Sequence, residues 1–258
     1  MSVSPLISII IPLYNSGMFI TATIDSVLNQ SYTNWELLLI DDASMDNTVA
    51  VAKTFQAKDS RINLYKNRTN KGTAYCRNRA TELSKGTFIA FLDSDDLWHP
   101  GKLEKQLNFM QDHSCFVSYT SYQLINEVGK SLHKRVAALP QLTYRKQLKN
   151  NYIGNLTGMY NASVLGKISA PTLRKRQDWA VWLEAIKLSG KPALGIQEDL
   201  AYYRVRAGSI SSNKVSLIKY NFNFYRKHLG YSFPKACYYF LVFFFEYFFI
   251  RPKYIIKA

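Results

Sequence analysis

An α/β domain with a mainly parallel sheet and helices on both faces is what this sequence predicts, and three observations predict it. Four apolar, β-branched-rich runs fall in the first hundred residues, helical patterns separate them, and acidic or turn-forming residues follow them. Alternation of this kind implies right-handed crossovers and parallel pairing. Strands of such a sheet are buried on both faces, so their runs are continuous and not alternating.

Ile7 to Ile11 is the first strand, broken by Pro12-Leu13-Tyr14-Asn15-Ser16-Gly17. No basic stretch precedes it and no cleavage pattern follows, so it reads as a buried strand and not as a signal peptide. Ile20, Ile24, Val27 and Leu28 then recur at helical spacing. Trp35 to Ile40 is the second strand and ends on Asp41-Asp42. Ser44 or Asp46 can cap a helix reaching about Ala57. Ile62 to Tyr65 is the third strand; Cys76, Ala80 and Leu83 mark the next helical face; Thr87 to Leu92 is the fourth strand. After His99-Pro100 the spacing predicts a helix through Met110. Regularity then fades. Short strands are expected around Phe116 to Leu124 and Gly158 to Tyr160, a helix over Asp178 to Leu188, and extended chain over Ala201 to Val205.

Charge and cysteine content narrow the function classes. The 258 residues carry 33 Lys and Arg against 18 Asp and Glu, a formal charge of +15. Such an excess attracts nucleic acid, anionic lipid or phosphorylated substrates. Nucleic acid is set aside because no recognised nucleic-acid motif is present. Cys76, Cys115 and Cys237 form no Cys-x-x-Cys pair, which argues against a disulfide framework or zinc site and for a reducing compartment. His99, His113, His133 and His228 show no metal-ligand spacing.

The acids are not scattered. Ligands of parallel sheets bind at the C-terminal strand ends. Asp41-Asp42 and Asp93-Ser94-Asp95-Asp96 lie there, with Tyr14 just past the first strand. Adjacent carboxylates repel one another, and a bound cation relieves the repulsion. Mn2+ or Mg2+ takes only one or two carboxylates from a protein. A departing nucleoside diphosphate builds negative charge that such an ion offsets. A carboxylate at Asp41 or Asp42 can accept the imide N–H of uracil or thymine, and Tyr14 can stack on the base. Plainer readings stand beside these: helix capping for Asp41 and Asp42, a turn for Asp93 to Asp96, a half-buried aromatic at Tyr14.

Together the motifs resemble the inverting family-two glycosyltransferases of bacterial surface polysaccharides, which have the GT-A nucleotide-sugar fold. The matching residues are Ile9 to Asn15, Leu28-Asn29-Gln30-Ser31-Tyr32, Glu36 to Ser44 with Asp46, Asn70-Lys71-Gly72, Ala74, Arg77-Asn78, Ala80 and Gly86 to Asp96. The resemblance covers roughly the first 110 residues. It implies that Pro12 and Tyr14, with Asn15 beside them, belong to the nucleotide site. It implies that Asp42 or Asp41 contacts the base and that Arg77 approaches the nucleotide. Asp93 and Asp95 resemble the family's aspartate-x-aspartate pair. Asp95 would hold the metal with Asp93 near the ribose, and Asp96 is a second candidate for either role. Gln177-Asp178-Trp179 resembles the acid-aspartate-aromatic motif, with Gln177 where glutamate is usual, and makes Asp178 the base that deprotonates the acceptor. Tyr203 to Ser211 resembles the family's arginine-and-serine segment, in which Arg204 and Arg206 would reach the diphosphate.

On this reading residues 1–213 form the catalytic domain, with a nucleotide-binding half over 1–112 and an acceptor-binding half over 113–213. Residues 214–258 form a helical tail rich in aromatic and basic side chains. Its apolar run CYYFLVFFFEYFFI, Cys237 to Ile250, is 14 residues and is interrupted by Glu246. About 20 are needed to span a bilayer. Lys235, Arg251, Lys253 and Lys257 flank it, which suits docking on an anionic membrane surface. Packing on the catalytic domain, or on a second subunit in a homodimer, is the alternative. A lipid-linked glycan acceptor would be met there, placing the protein in the cytoplasm, peripheral on the inner face of the plasma membrane. A nucleotidyltransferase is a rival reading, but Tyr14-Asn15-Ser16-Gly17 lacks the Gly-rich basic loop. A nucleotide-sugar-binding scaffold without transfer is another.

Overall fold

The computed structural model describes residues 4–173, 175–206 and 214–257. Its first half is the expected parallel unit. Strands β1 (Ile7–Leu13), β2 (Trp35–Asp41), β3 (Ile62–Lys66) and β4 (Phe88–Phe91) alternate with helices α1 (Ile20–Leu28), α2 (Thr48–Gln56) and α3 (Thr73–Leu83). Their spatial order is β4-β1-β2-β3, all parallel. Successive side chains of β1 feed two different cores. Ile9 and Ile11 pack with Ile20, Ile24 and Val27 of α1, whereas Ile10 packs with Cys76 and Ala80 of α3.

The second half departs from the parallel pattern, and the sheet as a whole is mixed. It contains β5 (Leu97–Trp98), α4 (Lys102–Asp112), β6 (Val117–Ile125), β7 (Ser131–Val136), β8 (Gln141–Leu142) and α5 (Tyr144–Lys149). Then come β9 (Met159–Asn161), α6 (Ala162–Leu165), α7 (Gln177–Ser189) and β10 (Ala193–Arg204). Strand β9 runs antiparallel to both β4 and β6 and so reverses the sheet's direction. Strands β6 and β7 form a hairpin, which only antiparallel strands can do. Its turn is held by Asn126 Oδ1, which accepts the amides of Val128 (3.1 Å) and Lys130 (2.9 Å). The long β10 runs parallel to β6 and antiparallel to β5 and β8.

Where β9 begins, the chain passes directly under a buried ring. A Cβ on Gly158 would lie 2.2 Å from Cζ2 of Trp182. That ring is itself wedged edge-on against Phe91 and Tyr160. Gly158→Ala is expected to destabilise the fold by about 3 kcal/mol through overpacking. A melting temperature lowered by roughly 6–12 °C would report it.

The tail is helical, as expected, but its helix is longer than the apolar run. Helix α8 (Lys214–Asn223) leads through a wide turn, Phe224–His228, into α9 (Phe233–Phe245). The helical path widens again over Glu246–Ile250 and closes with a tight turn, Arg251–Tyr254. Phe233–Tyr254 is 22 residues long and holds an 18-residue stretch of mean hydropathy 1.3, enough by length and composition to cross a membrane. The 14-residue count fell short because the helix takes in less apolar residues at both ends. One face packs on the body of the protein: Ala236 and Phe243 join Trp179, Leu183, Phe224 and Tyr225 in a third core. Strand β11 (Ile255–Lys257) follows and pairs antiparallel with β7. Glu246 is buried and turned inward, bonded to the Tyr152 hydroxyl and the Lys146 ammonium. The opposite face exposes Phe233, Tyr238, Leu241, Phe245, Phe248 and Phe249.

Candidate active site

The loops after β1, β2 and β4 meet at one rim, and hydroxyl and carboxyl groups stitch them together. The Asn15 amide donates to Ser44 Oγ (3.0 Å), and Asn15 Oδ1 accepts from the Met45 amide (2.9 Å). The Ser16 amide donates to Thr48 Oγ1 (2.7 Å), and Ser16 Oγ lies 2.6 Å from Ser94 Oγ. The Gly17 amide donates to Asp46 Oδ2 (2.9 Å). Asp46, one residue before the N-cap of α2 at Asn47, also accepts the Thr48 amide through Oδ1 at 3.0 Å. Above this lattice Tyr14 is half exposed, its ring open at the rim.

Asp41 and Asp42 are both buried at the end of β2, with different partners. Asp42 accepts Asn67 Nδ2 (2.8 Å) and the amides of Lys71 (2.9 Å) and Gly72 (2.7 Å). It therefore orders the loop entering α3, whose N-cap is Gly72. Asp41 Oδ2 accepts the Ser44 amide (3.2 Å), while its Oδ1 is buried without a hydrogen-bond partner among the described residues.

The acidic turn after β4 separates its three carboxylates. Asp93 is partly exposed and receives Arg77 Nη2 at 2.5 Å from α3. In the amide orientation that satisfies both partners, Asn155 Oδ1 accepts the same nitrogen at 2.7 Å. Arg79 points elsewhere, to Asn67 Oδ1 (2.7 Å), so the two neighbouring arginines are not equivalent. Asp95 Oδ2 is paired with Arg206 Nη2 (2.6 Å). Burial, and then the charge of Asp93, raises the Asp95 carboxyl above the usual carboxylate range against the pull of Arg206 and Arg204.

Two sequence expectations change place here. Asp96 is not at the rim. It is buried beneath it, its Oδ1 accepts the Arg204 amide (2.8 Å), and burial followed by the charges of Asp95 and Asp93 pushes it well above the carboxylate range. Arg204 does not reach out towards a diphosphate. Its Nε donates to the Asp95 carbonyl (2.7 Å) and its Nη1 to the carbonyls of Asn126 (3.2 Å) and Glu127 (2.7 Å). Asp96 and Arg204 thus clamp the acidic turn to β10 and the β6–β7 hairpin. Arg206 is the arginine of that pair on the acidic side chains. Residues 207–213, which hold the Gly-Ser part of the expected segment and the boundary at 213, lie outside the described residues.

Across the crevice from Arg77 stands the first turn of α7. Arg77, Asn78, Asn155, Gln177 and Asp178 line one cavity floored by Phe91 and Val181. Asp178 is half-buried, and its Oδ2 accepts Asn151 Nδ2 at 2.7 Å. Asn151 and Asn155 carry no mark in the sequence, because neither sits in a periodic or motif-bearing stretch.

Among the described residues, no group of three or more His, Cys, Asp and Glu side chains converges to hold a metal. Asp93 and Asp95 offer two hard carboxylate donors at the rim. That donor set suits Mg2+ or Mn2+ and fails for zinc. The residues present therefore fit a divalent cation of that kind.

Known proteins resemble this chain in sequence and in fold. Residues 8–170 match the model of the family described as glycosyl transferase family 2. The putative teichuronic acid biosynthesis glycosyltransferase TuaG of Bacillus subtilis is 43% identical over 232 residues, covering 90% of this chain and 92% of its own. The Escherichia coli protein WfgD, a UDP-Glc:alpha-D-GlcNAc-diphosphoundecaprenol beta-1,3-glucosyltransferase, is 42% identical over 83% of each chain. S. aureus TarS 1-349 in complex with UDP-GlcNAc superposes with a TM-score of 0.73 at 22% identity, over 96% of this chain and 74% of that one. The mannosyltransferase PcManGT of Pyrobaculum calidifontis, in complex with GDP-Man and Mn2+, does so with 0.66 at 15% identity, over 98% and 72%. The last two share this chain's fold, the GT-A class expected from the sequence. On the family match and these identities, the chain is a glycosyltransferase and belongs to glycosyl transferase family 2.

Proposed function

We propose that this enzyme transfers, with inversion, the sugar of a nucleotide diphosphate donor to a growing lipid-linked surface glycan of the capsule or O-antigen type. The observation that carries this reading is the cavity lined both by Arg77, the partner of Asp93, and by Asp178. The donor is a UDP-sugar: TarS was crystallised with UDP-GlcNAc, and WfgD is named for a UDP-glucose donor and a diphosphoundecaprenol-linked acceptor.

In this mechanism Pro12, Tyr14, Asn15, Asp41 and Asp42 form the wall that receives the base. Asp95, with Asp93 beside it, would hold Mn2+ or Mg2+, which when bound supplies positive charge against the leaving diphosphate. Arg77 holds Asp93 in place, and Arg206 is within reach of phosphate oxygens once Asp95 has another partner. Asp178 accepts the proton of the acceptor hydroxyl. The acceptor oxygen bonds to the anomeric carbon from the face opposite the diphosphate, the carbon–oxygen bond to the diphosphate breaks, and the configuration inverts.

The outward face of the tail helix, together with exposed Lys235, Lys253 and Lys257, supports docking on an anionic bilayer. Glu246 no longer interrupts that face, since it points inward. Packing of α9 on the body and pairing of β11 with β7 favour a helix lying in the interface, peripheral on the cytoplasmic leaflet, over one that spans.

The test is the stereochemistry of transfer. Purified enzyme with Mn2+, a panel of UDP-sugars and a short diphosphate-linked acceptor should release UDP and give a product of opposite anomeric configuration, read from proton couplings. A product with retained configuration would overturn the reading.

A further inference from the structure

The C-terminal helix is wired to the proposed base from two sides. On one side it packs on the residue next to that base. Trp179 stacks on Phe224 with ring centres 4.1 Å apart and planes 9° apart, and Phe243 of α9 lies 5.8 Å away. Trp179 Nε1 also donates to the Gln147 carbonyl (2.7 Å), and Arg176, just before α7, donates from Nε to Asn221 Oδ1 of α8 (2.6 Å).

On the other side a chain of hydrogen bonds runs from the helix to the carboxylate. Arg251 Nη1 donates to the Asn151 carbonyl (2.7 Å), and its guanidinium lies 4.8 Å over the Tyr152 ring. Buried Glu246 holds the Tyr152 hydroxyl. Gln147, fully buried, fixes the same segment from α5: its Nε2 donates to Asn151 Oδ1 (2.9 Å) and its Oε1 accepts the Tyr152 amide (2.9 Å). With its oxygen taken by Gln147, the Asn151 amide must present nitrogen to Asp178. The helix widens at Glu246–Ile250, where Glu246 turns inward and Arg251 follows, and such wide turns recur at functional positions.

We infer that the C-terminal helix belongs to the catalytic apparatus: Arg251 and Glu246 fix residues 151–152, and Asn151 is the positioning residue that aims Asp178 at the acceptor hydroxyl. This rests on the assignment of Asp178 as the base. The helix acts by holding a carboxylate, so its loss is felt in kcat and not in donor binding.

The experiment compares Asn151→Ala, Arg251→Ala, Arg251→Lys and the Asn151→Ala/Arg251→Ala double variant in the full chain. Donor KM and nucleotide-induced thermal shift are measured beside kcat. Asn151→Ala should lower kcat on the order of 10–100-fold, as expected for one hydrogen bond to a charged group, with donor KM unchanged. Arg251→Ala should lower kcat about tenfold, Arg251→Lys should restore most of it, and Arg251→Ala should cost nothing further once Asn151 is alanine. Should Arg251→Ala fail to fold, Asn151→Ala and Arg251→Lys carry the comparison. Wild-type kcat in Asn151→Ala, or losses that multiply in the double variant, overturns the inference. Asp178→Asn tells the two failures apart. If it is inactive while Asn151→Ala is normal, the positioning role alone falls; if it is fully active, the base assignment falls first.

Discussion

Asp178→Asn is expected to bind donor normally and to lower kcat roughly 10³-fold, within the span a positioned general base contributes. The substitution keeps volume and removes only the ability to accept a proton. The fold should tolerate it. Asp178 is half-buried at the first turn of α7, and the oxygen that an asparagine retains can still accept Asn151 Nδ2. Its hydrogen bond comes from Asn151, while Arg77, Asn78 and Asn155 share the cavity it lines. The informative pair of measurements is therefore single-turnover transfer and UDP affinity on one preparation. A normal transfer rate would place the base elsewhere.

The second large effect concerns metal. With Mn2+ present, UDP at about one hundred times its Kd should stabilise the wild-type protein by about 2.7 kcal/mol, read as a melting shift of roughly 5–10 °C. Asp95→Ala should abolish that shift with or without the ion. The physical reason is the placement of charge. Asp95 is drawn into the protein beside Asp93, with Arg206 as its partner, and a divalent ion held there would supply positive charge against the diphosphate. UDP stabilising the wild-type protein equally in the absence of any divalent ion would remove Asp95 from this role.

The donor half was legible because its physics is local. Ile7 to Leu13, Trp35 to Asp41 and Phe88 to Phe91 are buried on both sides, so nearly every residue is apolar and the strands declare themselves. The acidic turn was legible for the complementary reason, since polar residues directly after such a strand stand at its C-terminal end. The second half was not. Strand β7 has the sequence SLHKRV and is exposed over most of its length, so no apolar pattern marks it. Strand β10 was expected only from Ala201. Gln197-Glu198-Asp199 reads as a polar break, yet register shifts around Asp199 carry the pairing with β6 through it. Asp96 and Arg204 were misplaced because a composition of acids and arginines does not say which member is buried under the others. Asn151 was invisible because its meaning comes from a carboxylate 27 positions later.

The stitched loops after β1, β2 and β4 have one more consequence. A ligand arriving there meets backbone already fixed by Asn15, Ser16, Asp46 and Ser94, so little conformational entropy is lost on capture. That side of the crevice behaves as an anvil. Amide exchange in these loops should accordingly be slow.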